Sequence, residues 1–496
     1  MPGTFFGLEI GRRGIQNHQR ALDVTGHNLA NSSTEGYSRQ EAVFTQTDPY
    51  TRPDWDSAAS PGQLGTGLKT QLIRRVRDEY MDPQVRIAST GRYYWDDQIS
   101  IFKRVESSFA EPAASGVEDQ LVDFFKGWQN LNNNPQDPGV KASVMEMGVQ
   151  LSSRLTYTYN QLSYIQDSVM KPGTLPDVDS GQIKDQVERI NDLLAQVQNY
   201  TADMMKIYRL GQRPNDLEDK RDLVLDELSK YGPLTVQHHT QDGKPTGEIT
   251  MSFFGVSITT VPRDDKTFSL RINDVPGPDF GNLELHEAGV GRVIDLTAER
   301  NNYNKGGSLL GIERTRQEII GFKNTLNDMA VTLRSKIRSV NLAPPPAGTP
   351  DFFTGSLSTG DFTVNAAVIN APNVIDGTKA GSIADIRRND MTITLAEDPV
   401  AFGELSDPSR DYTLEECYQL LATDVGDKAK GADGMAASQQ AIQEQMKNLR
   451  ESVSGVSVDE ELTKMIQYQY GYQGSARVVG MVDEILDYLI NRMKNF

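Results

Sequence analysis

The sequence has few of the residues that disulfides, thiolate clusters and membrane spans require. Of its 496 residues only Cys417 is a cysteine, which excludes an intramolecular disulfide and a thiolate metal cluster. No stretch approaches the roughly 20 apolar residues of a membrane-spanning helix. The N-terminus, MPGTFFGLEIGRRGIQ, lacks the apolar segment and the small-residue cleavage site of a signal peptide. We predict no membrane partner, and we expect any export to occur without a cleaved signal peptide.

Positive charge is also scarce. The chain has 50 Lys and Arg against 68 Asp and Glu, which gives a formal net charge of −18 at pH 7. Because a phosphate backbone is bound by clustered Lys and Arg, this balance argues against nucleic acid as a partner. The one basic run, RRVR at Arg74–Arg77, is short, and we interpret it as the solvated face of a helix.

The sequence also lacks the motifs of common catalytic and cofactor sites. His286 and Glu287 begin like a zinc-protease helix, but the second His four residues on is missing and glycines follow. His238 and His239 are adjacent on a predicted strand, so their side chains point to opposite faces. The segment GGSLLGIER has glycines without the Lys-Ser/Thr pair of a phosphate loop. We therefore predict no enzyme activity, no cofactor and no metal.

Helical periodicity dominates the chain instead. In VEDQLVDFFKGWQNL the apolar residues recur along one helix face, and the turn-forming NNNPQDP then ends that helix. Similar patterns follow in GVKASVMEMGVQLSSRLTYTYNQLSYIQDSVM and in IKDQVERINDLLAQVQNYTADMMKIY. The next, PNDLEDKRDLVLDELSKYG, begins at Pro214 and ends before Gly232, as helices often do. These four amphipathic helices predict an elongated bundle.

The middle of the chain changes to a period of two. EITMSFFGVSITTV and KTFSLRIND alternate apolar and polar residues between turn-forming pairs, which predicts a small antiparallel β module. The strand-like pieces DFTV and MTITL occur in the Pro- and Gly-rich section up to about residue 410. We predict a mainly α fold with a β insert (α+β), elongated and multi-domain. Its predicted parts are a terminal coiled-coil unit (1–45 and 455–496), a helix bundle (46–232, 304–340 and 411–454) and β-rich outer inserts (233–303 and 341–410).

The two ends of the chain carry matching seven-residue repeats. Four apolar residues near the N-terminus are seven apart, and residues near the C-terminus alternate four and three apart with polar interruptions at Gln469 and Asp483. A second apolar line, formed by Val478, Val482, Ile485 and Leu489, predicts contact with more than one neighbour. The predicted assembly contacts are Leu8, Ile15, Leu22, Leu29, Asn28, Asn31, Met465, Tyr472, Ala476, Val479, Leu486 and Ile490.

Energetics suggests that the terminal helices need a neighbour. The gain from burying a handful of such side chains is smaller than the conformational entropy lost when both termini become ordered. We therefore expect termini that fray in the free chain and gain order against neighbouring subunits. The alternative is a simple helix pair within one chain. Asn28 and Asn31 tolerate left-handed backbone and are expected to end the first helix, with Gly36 in the turn that follows.

The stretch ALDVTGHNLANSSTEGYSRQ, residues 21–40, resembles the N-terminal signature of the axial proteins of the bacterial flagellum. This family comprises rod, hook and hook-associated proteins, and the ending GYSRQ looks most like the hook-associated protein 1 family. Three further stretches agree with it: RPNDLEDKRDLVLDELS, GGSLLGIERTR and SVSGVSVDEELTKMIQYQYGYQGSARVVGMVDEILDYLI. Together with FFKGWQNLNNNPQDPGVKASV, they span most of the helical scaffold.

This resemblance implies a non-enzymatic structural subunit that is secreted through the flagellar type III pathway and forms a junction ring between hook and filament. The implied partners are other copies of the chain, the hook protein, the next hook–filament junction protein and a cytoplasmic export chaperone that binds the C-terminal helix. One alternative is a hook or distal-rod axial protein, which shares both termini but lacks the bundle with PNDLEDKRD. Further alternatives are a secreted, flagellum-borne hydrolase and, more remotely, a cytosolic coiled-coil adaptor.

Overall fold

Long helices make up most of the chain, and short strands lie between them. The computed structural model describes residues 5–49, 65–109, 116–174, 176–259, 267–272, 282–287, 293–300, 306–341, 350–388 and 412–492. Over these ranges the structure confirms the predicted mainly α fold with small antiparallel sheets. In this part of the chain, no helix has the length and apolar character that a membrane crossing needs.

A helix bundle forms the body of the molecule. Its long helices are α2 (Met81–Phe109), α3 (Val117–Asn133), α4 (Pro138–Val169), α5 (Gln182–Arg209), α6 (Asn215–Tyr231), α8 (Ser308–Asn341) and α11 (Leu414–Ser454). Lys103 near the end of α2 lies 3.7 Å from Asp433 of α11. Arg450 near the end of α11 lies 3.6 Å from Asp82 at the start of α2, so these two helices run antiparallel.

Capping residues and apolar faces explain where the bundle helices begin and what they bury. Asp137 caps α4, because its side chain accepts a hydrogen bond from the backbone N–H of Gly139 at 2.7 Å. A capping box of Thr413 and Glu416 starts α11. The apolar face predicted for α3 is fully buried in the common core: Val117, Leu121, Phe124, Phe125, Trp128 and Leu131.

Five small antiparallel sheets are described. They pair β1 (Gln40–Gln46) with β2 (Leu68–Arg75), β3 (Lys171–Pro172) with β4 (Val178–Ser180), β5 (Leu234–Gln241) with β6 (Lys244–Phe253) and β7 (Val256–Thr259), β8 (Phe268–Ile272) with β9 (Leu283–Glu287) and β10 (Val293–Asp295), and β11 (Phe353–Thr354) with β12 (Thr363–Val364). The alternation seen in the sequence of β6 has its physical basis in the core, where Ile249, Met251 and Phe253 are completely buried. The short helix α7 (Leu296–Glu299) follows β10.

The second predicted β insert is mostly helical in its described part, residues 350–388. Besides β11 and β12 it contains α9 (Ala366–Asn370), α10 (Ala380–Asp385) and 3₁₀ turns at Pro372–Val374, Gly377–Lys379 and Ile386–Arg388. The side chains of Asn365 and Asp376 accept hydrogen bonds from backbone N–H groups at helix starts, and such local bonds favour helical turns over strands. DFTV therefore contributes only two residues to a strand, while MTITL lies outside the described residues.

The two ends of the chain meet outside the bundle. Helix α1 (Phe6–Ala30) packs along α12 (Val458–Asp487), which continues into a π-helical turn at Tyr488–Arg492. The hairpin of β1 and β2 packs on the side of α1. We call α1, α12 and this hairpin the terminal unit.

Candidate assembly interface

Helices α1 and α12 pack against each other in antiparallel register. A Cβ atom added at Gly7 would lie 2.9 Å from Cγ2 of Val482, near the end of α12. At the opposite end of α1, the side chain of Asn28 reaches Glu461, near the start of α12. Between these ends the two helices meet along a seam that consists of Gly7, Gly11, Gly14, His18 and Asn28 on α1 and of Glu461, Gly471, Ser475, Val479 and Val482 on α12.

Small residues let the two helices approach closely along this seam. A Cβ at Gly11 would lie 2.7 Å from Cγ2 of Val479 and 3.1 Å from the carbonyl oxygen of Ser475. A Cβ at Gly14 would overlap the hydroxyl of Ser475. The pattern of large apolar residues does not predict this contact. The glycines themselves are spaced four and three residues apart, which is a coiled-coil spacing.

The predicted N-terminal contacts lie beside the seam. Each of the four apolar residues is half-buried and follows a seam-side residue by one position, so the smaller part of its surface is available to another molecule. The residues are Leu8, Ile15, Leu22 and Leu29. Their role as assembly contacts stays a prediction.

The predicted C-terminal contacts fall into two groups. Met465, Tyr472, Val479 and Leu486 are half-buried on α12, whereas Ala476 and Ile490 are exposed to solvent. In each seven-residue repeat the seam contains Ser475 and Val482, whereas the sequence predicted the following residues, Ala476 and Asp483. Both pairs fit a spacing of four and three residues. The structure has Ser475 and Val482 at the seam because they are the residues that face the glycines of α1.

Asn28 holds three segments together at the end of the seam. Its side chain is completely buried, and its Nδ2 donates to the carbonyl oxygen of Gln40 at 2.8 Å and to Oε2 of Glu461 at 2.9 Å. Its Oδ1 accepts from the Tyr37 hydroxyl at 2.8 Å and from the backbone N–H of Gln40 at 2.9 Å. Glu461 is 1% exposed and also accepts from Nζ of Lys464 at 3.0 Å. The two ends of the chain are thus joined through a satisfied buried polar cluster.

The turn after α1 has left-handed backbone at Gly36, the residue expected in that turn, and not at Asn31. Asn31 caps the helix with φ −105°, outside the left-handed region, and its Nδ2 donates to the carbonyl oxygen of His27 at 3.0 Å. Asn28 lies within the last turns of α1 and is helical. Gly36 supplies the left-handed backbone with φ +78° and packs against Leu223 of α6. The left-handed residue therefore lies four positions before Gln40, where β1 begins, and not at the helix end.

The basic run RRVR is a strand end, not a solvated helix face, and this corrects the interpretation from sequence. Pairing with β1 turns Arg75 towards α6, where its guanidinium lies 2.7 Å from Glu218, 2.7 Å from Asp219 and 2.8 Å from Asp222. Arg77 lies 3.3 Å from Asp222 as well. Sequence periodicity could not reveal that a later helix supplies the compensating carboxylates.

These ion pairs attach the terminal unit to the bundle. Burial alone would raise the pKa of Asp222, but Arg77, Arg75 and Arg86 outweigh it and hold that pKa well below its usual range. Burial raises the pKa of Asp219, and Arg75 offsets this only in part. The segment PNDLEDKRD thus provides the buried carboxylates that fix the hairpin onto α6.

The surface of α12 that α1 leaves uncovered carries a stripe of exposed apolar residues. Val458, Leu462, Ile466 and Tyr470 follow each other at intervals of four, and Ile466 and Tyr470 are 52% and 70% exposed. Further along α12 and its π-helical turn, Met481, Ile485, Tyr488, Leu489 and Ile490 are also exposed. Contiguous exposed apolar surface of this kind marks an interaction site. Of the second apolar line predicted from sequence, Val478 and Val482 are half-buried, and Ile485 and Leu489 face solvent.

The histidines that were considered as metal ligands contact other polar side chains. His286 on β9 contacts Oε2 of Glu284 at 2.9 Å, and His239 on β5 contacts the hydroxyl of Thr250 at 2.8 Å. Within the described ranges no group of three or more His, Cys, Asp or Glu side chains is placed to hold a metal ion.

Three family models of flagellar proteins match parts of this chain. The model described as "Flagellar hook-associated protein FlgK helical domain" matches residues 102–342. The models "Flagella basal body rod protein" and "Flagellar basal body rod FlgEFG protein C-terminal" match residues 8–37 and 450–493.

Similar relatives extend over nearly the whole chain. Flagellar hook-associated protein 1 of Bacillus subtilis is 26% identical over 518 residues, covering 99% of this chain and 99% of the relative. The Escherichia coli protein of that name is 23% identical and covers 96% of this chain and 98% of its own length. A solved structure, the flagellar hook junction protein FlgK from Burkholderia pseudomallei, has a TM-score of 0.43 and 21% identity, covering 55% of this chain and 46% of that one.

Proposed function

We propose that the chain is a structural subunit of the bacterial flagellum from the family of flagellar hook-associated protein 1, and that it forms a ring at the hook–filament junction by assembly through its terminal unit. The match to the helical-domain model favours this role over a hook or distal-rod protein. The family is structural, and the absence of enzyme activity in this chain stays a prediction.

The exposed apolar stripe on α12 is the observation that carries the proposal. Val458, Leu462, Ile466 and Tyr470 face solvent in the single chain, and covering such a side chain contributes on the order of 1 kcal/mol. The half-buried Leu8 and Ile15 on α1, seven residues apart, leave part of their apolar surface uncovered. In the proposed ring, the α1 surface of one copy covers the α12 stripe of the next, and the terminal units form the inner layer.

Other partners follow from the same surface. The hook protein and the next junction protein meet the ring above and below. The terminal segments of this chain, which would contact them, match models of flagellar basal body rod proteins. Before assembly, a cytoplasmic export chaperone covers the apolar stripe of α12. We propose export through the flagellar type III pathway. A single cysteine, Cys417, leaves no intramolecular disulfide to hinder the passage of an unfolded chain.

A charge in the stripe tests the proposal against a matched control. Ile466→Asp places a carboxylate at the centre of the stripe, whereas Gln467→Asp adds the same charge at the next, exposed and polar position of α12. We expect both variants to keep the wild-type circular dichroism and melting temperature. We expect only Ile466→Asp to lose incorporation at the junction, and with it filament attachment and swimming. Normal motility of Ile466→Asp would refute the proposed interface.

The pair Ile466→Asp and Gln467→Asp separates assembly from folding better than a substitution at Val479. Val479 contacts Gly11, so Val479→Asp disturbs the pairing of α1 with α12 as well as any contact between subunits. Loss of assembly in that variant has two possible causes, while Ile466→Asp leaves the seam unchanged.

A further inference from the structure

His18 lies in the middle of the seam, half-buried between α12 and β1. Its ring rests against the backbone of Gly471, where a Cβ would lie 2.6 Å from Nε2. The Phe44 ring of β1 meets it edge-on with a centroid distance of 6.0 Å, and the Tyr468 ring of α12 lies at 6.4 Å. The imidazole thus fills the space that the missing side chain of Gly471 leaves.

This environment suits a neutral imidazole and disfavours an imidazolium. Nδ1 of His18 is buried and has no hydrogen-bond partner among the described residues. A neutral ring can leave one nitrogen as a bare acceptor, but the charged ring carries two N–H donors that both need acceptors. Burial accordingly lowers the pKa of His18.

The charged groups of the neighbouring elements are engaged elsewhere. On α12, Glu461 is occupied by Asn28 and Lys464. On β1, Glu41 pairs with Arg74 at 3.1 Å. On β2, Lys69 is exposed to solvent. The lowered pKa of His18 is caused by burial of the ring and not by a neighbouring charge.

The remaining titratable groups near the ring supply no acidic partner either. Tyr468 has its pKa raised by burial, so its hydroxyl stays neutral below the usual pKa of tyrosine, about 10. On α1 itself, the residues three and four positions from His18 are uncharged: Gly14, Ile15, Ala21 and Leu22. No carboxylate therefore stands ready to stabilise a protonated His18 in this part of the structure.

We propose that His18 is a pH-sensitive latch, whose protonation opens the α1–α12 seam in mild acid. The unfolded or unpaired segment binds a proton near the ordinary pKa of about 6.5, and the closed seam binds it only at lower pH. The stabilising effect of the neutral ring is complete above pH ~6.5 and is lost as pH falls below it, by up to about tenfold in the closing equilibrium per unit of pH. A role of this pH-dependent opening in flagellar assembly rests on the proposed function. The opening itself can be measured in the isolated chain.

The test uses the full chain with ¹³C-labelled histidine and follows the five histidines by NMR from pH 4.5 to 8.5. The His18 signal is assigned by its loss in His18→Gln. Amide exchange is measured in the same window for residues 6–30 and 458–487, with α3 and α5 as internal references. His18→Phe provides a second neutral variant that keeps a ring in the seam, and His27→Gln is the control at an exposed position of α1.

We expect the titration midpoint of His18 to lie below pH ~6.5. As the pH falls through that range, the protection of α1 and α12, corrected for intrinsic exchange at each pH, should decrease, whereas the protection of α3 and α5 should stay constant. His18→Phe should keep the protection of α1 and α12 constant across this range, and His27→Gln should behave like wild type. An ordinary midpoint for His18, or an equal rise of exchange in His18→Phe, overturns the proposal. Since these readouts need no assembly, failed ring formation by Ile466→Asp and a failed latch are distinguishable.

Discussion

At the scale of the residue, Asn28 shows how a short motif acts over a long distance. The family-like stretch around it suggested a helix end, and its four hydrogen bonds show what that end does. Its partner Glu461 is 433 positions away, and no local pattern could have paired the two. Local propensity places an Asn near a helix terminus, but only the fold decides which buried carboxylate it meets.

Replacing Asn28 by alanine tests this role. Asn28→Ala leaves Glu461 buried with only Lys464 as a donor and removes both bonds to Gln40, so we expect the terminal unit to lose roughly 2–3 kcal/mol. Asn31→Ala removes only exposed side-chain hydrogen bonds, to His27 and from Thr34, and should cost less than about 0.5 kcal/mol. Amide exchange of α1 and α12 measures both. Equal effects of the two variants would contradict the assigned role of Asn28.

The carboxylates of α6 predict a pH dependence with opposite signs at two neighbouring positions. The pKa of Asp222 is lowered in the folded state, so its contribution to the free energy of unfolding is complete above the ordinary pKa of about 3.9 and is lost as pH falls below it. The pKa of Asp219 is raised by burial, so protonating it near and above that pH stabilises the folded state.

Guanidinium unfolding at pH 7 and pH 3 measures this contrast. We expect Asp222→Asn to lose less stability than wild type between the two pH values, because it lacks the group that the arginines hold ionised. Asp219→Asn should lose more than wild type, because it cannot gain from protonation. An identical pH dependence in both variants would show that the network does not separate the two groups.

At the scale of the element, sequence periodicity predicted which helices and strands exist better than it predicted which of their residues are in contact. Helix α6 runs between Pro214 and Gly232, and the apolar alternation of β6 lies in the core, because local caps and burial fix both features. The seam residues of α1 were harder to predict, because they are mainly glycines and a search for apolar periodicity does not detect glycines. The RRVR run failed for a related reason, because its surroundings come from α6.

Glycine substitutions at two places in α1 test the seam. Gly11→Ala adds a Cβ that would lie 2.7 Å from Val479 and 3.1 Å from a backbone carbonyl, so we expect the pairing with α12 to weaken. Gly26→Ala meets nothing within 4 Å and should stabilise α1 by about 0.5–1 kcal/mol through helix propensity. Amide exchange of α12 should increase in the first variant and not in the second. Faster exchange in both would contradict the packing described.

At the scale of the whole molecule, the order of helical and strand segments along the sequence already indicated β modules inserted into a helical scaffold. The meeting of the two chain ends follows from repeats at positions far apart, which is why it could be predicted without a contact map. The attachment of that unit to the bundle could not be predicted in this way, because it depends on buried pairs such as Arg75 with Asp219 and Arg75 with Asp222. The uncovered face of α12 is the feature that this architecture leaves for a neighbour.

The most direct test compares amide exchange in the isolated chain with exchange after assembly onto purified hooks. If α12 completes its packing against neighbouring copies, residues 458–487 should exchange faster than α3 and α5 in the isolated chain. The same residues should become strongly protected on assembly, while α3 and α5 change little. Equal protection of α12 in both states would contradict the account, because the pair of α1 and α12 would then already be complete within one chain.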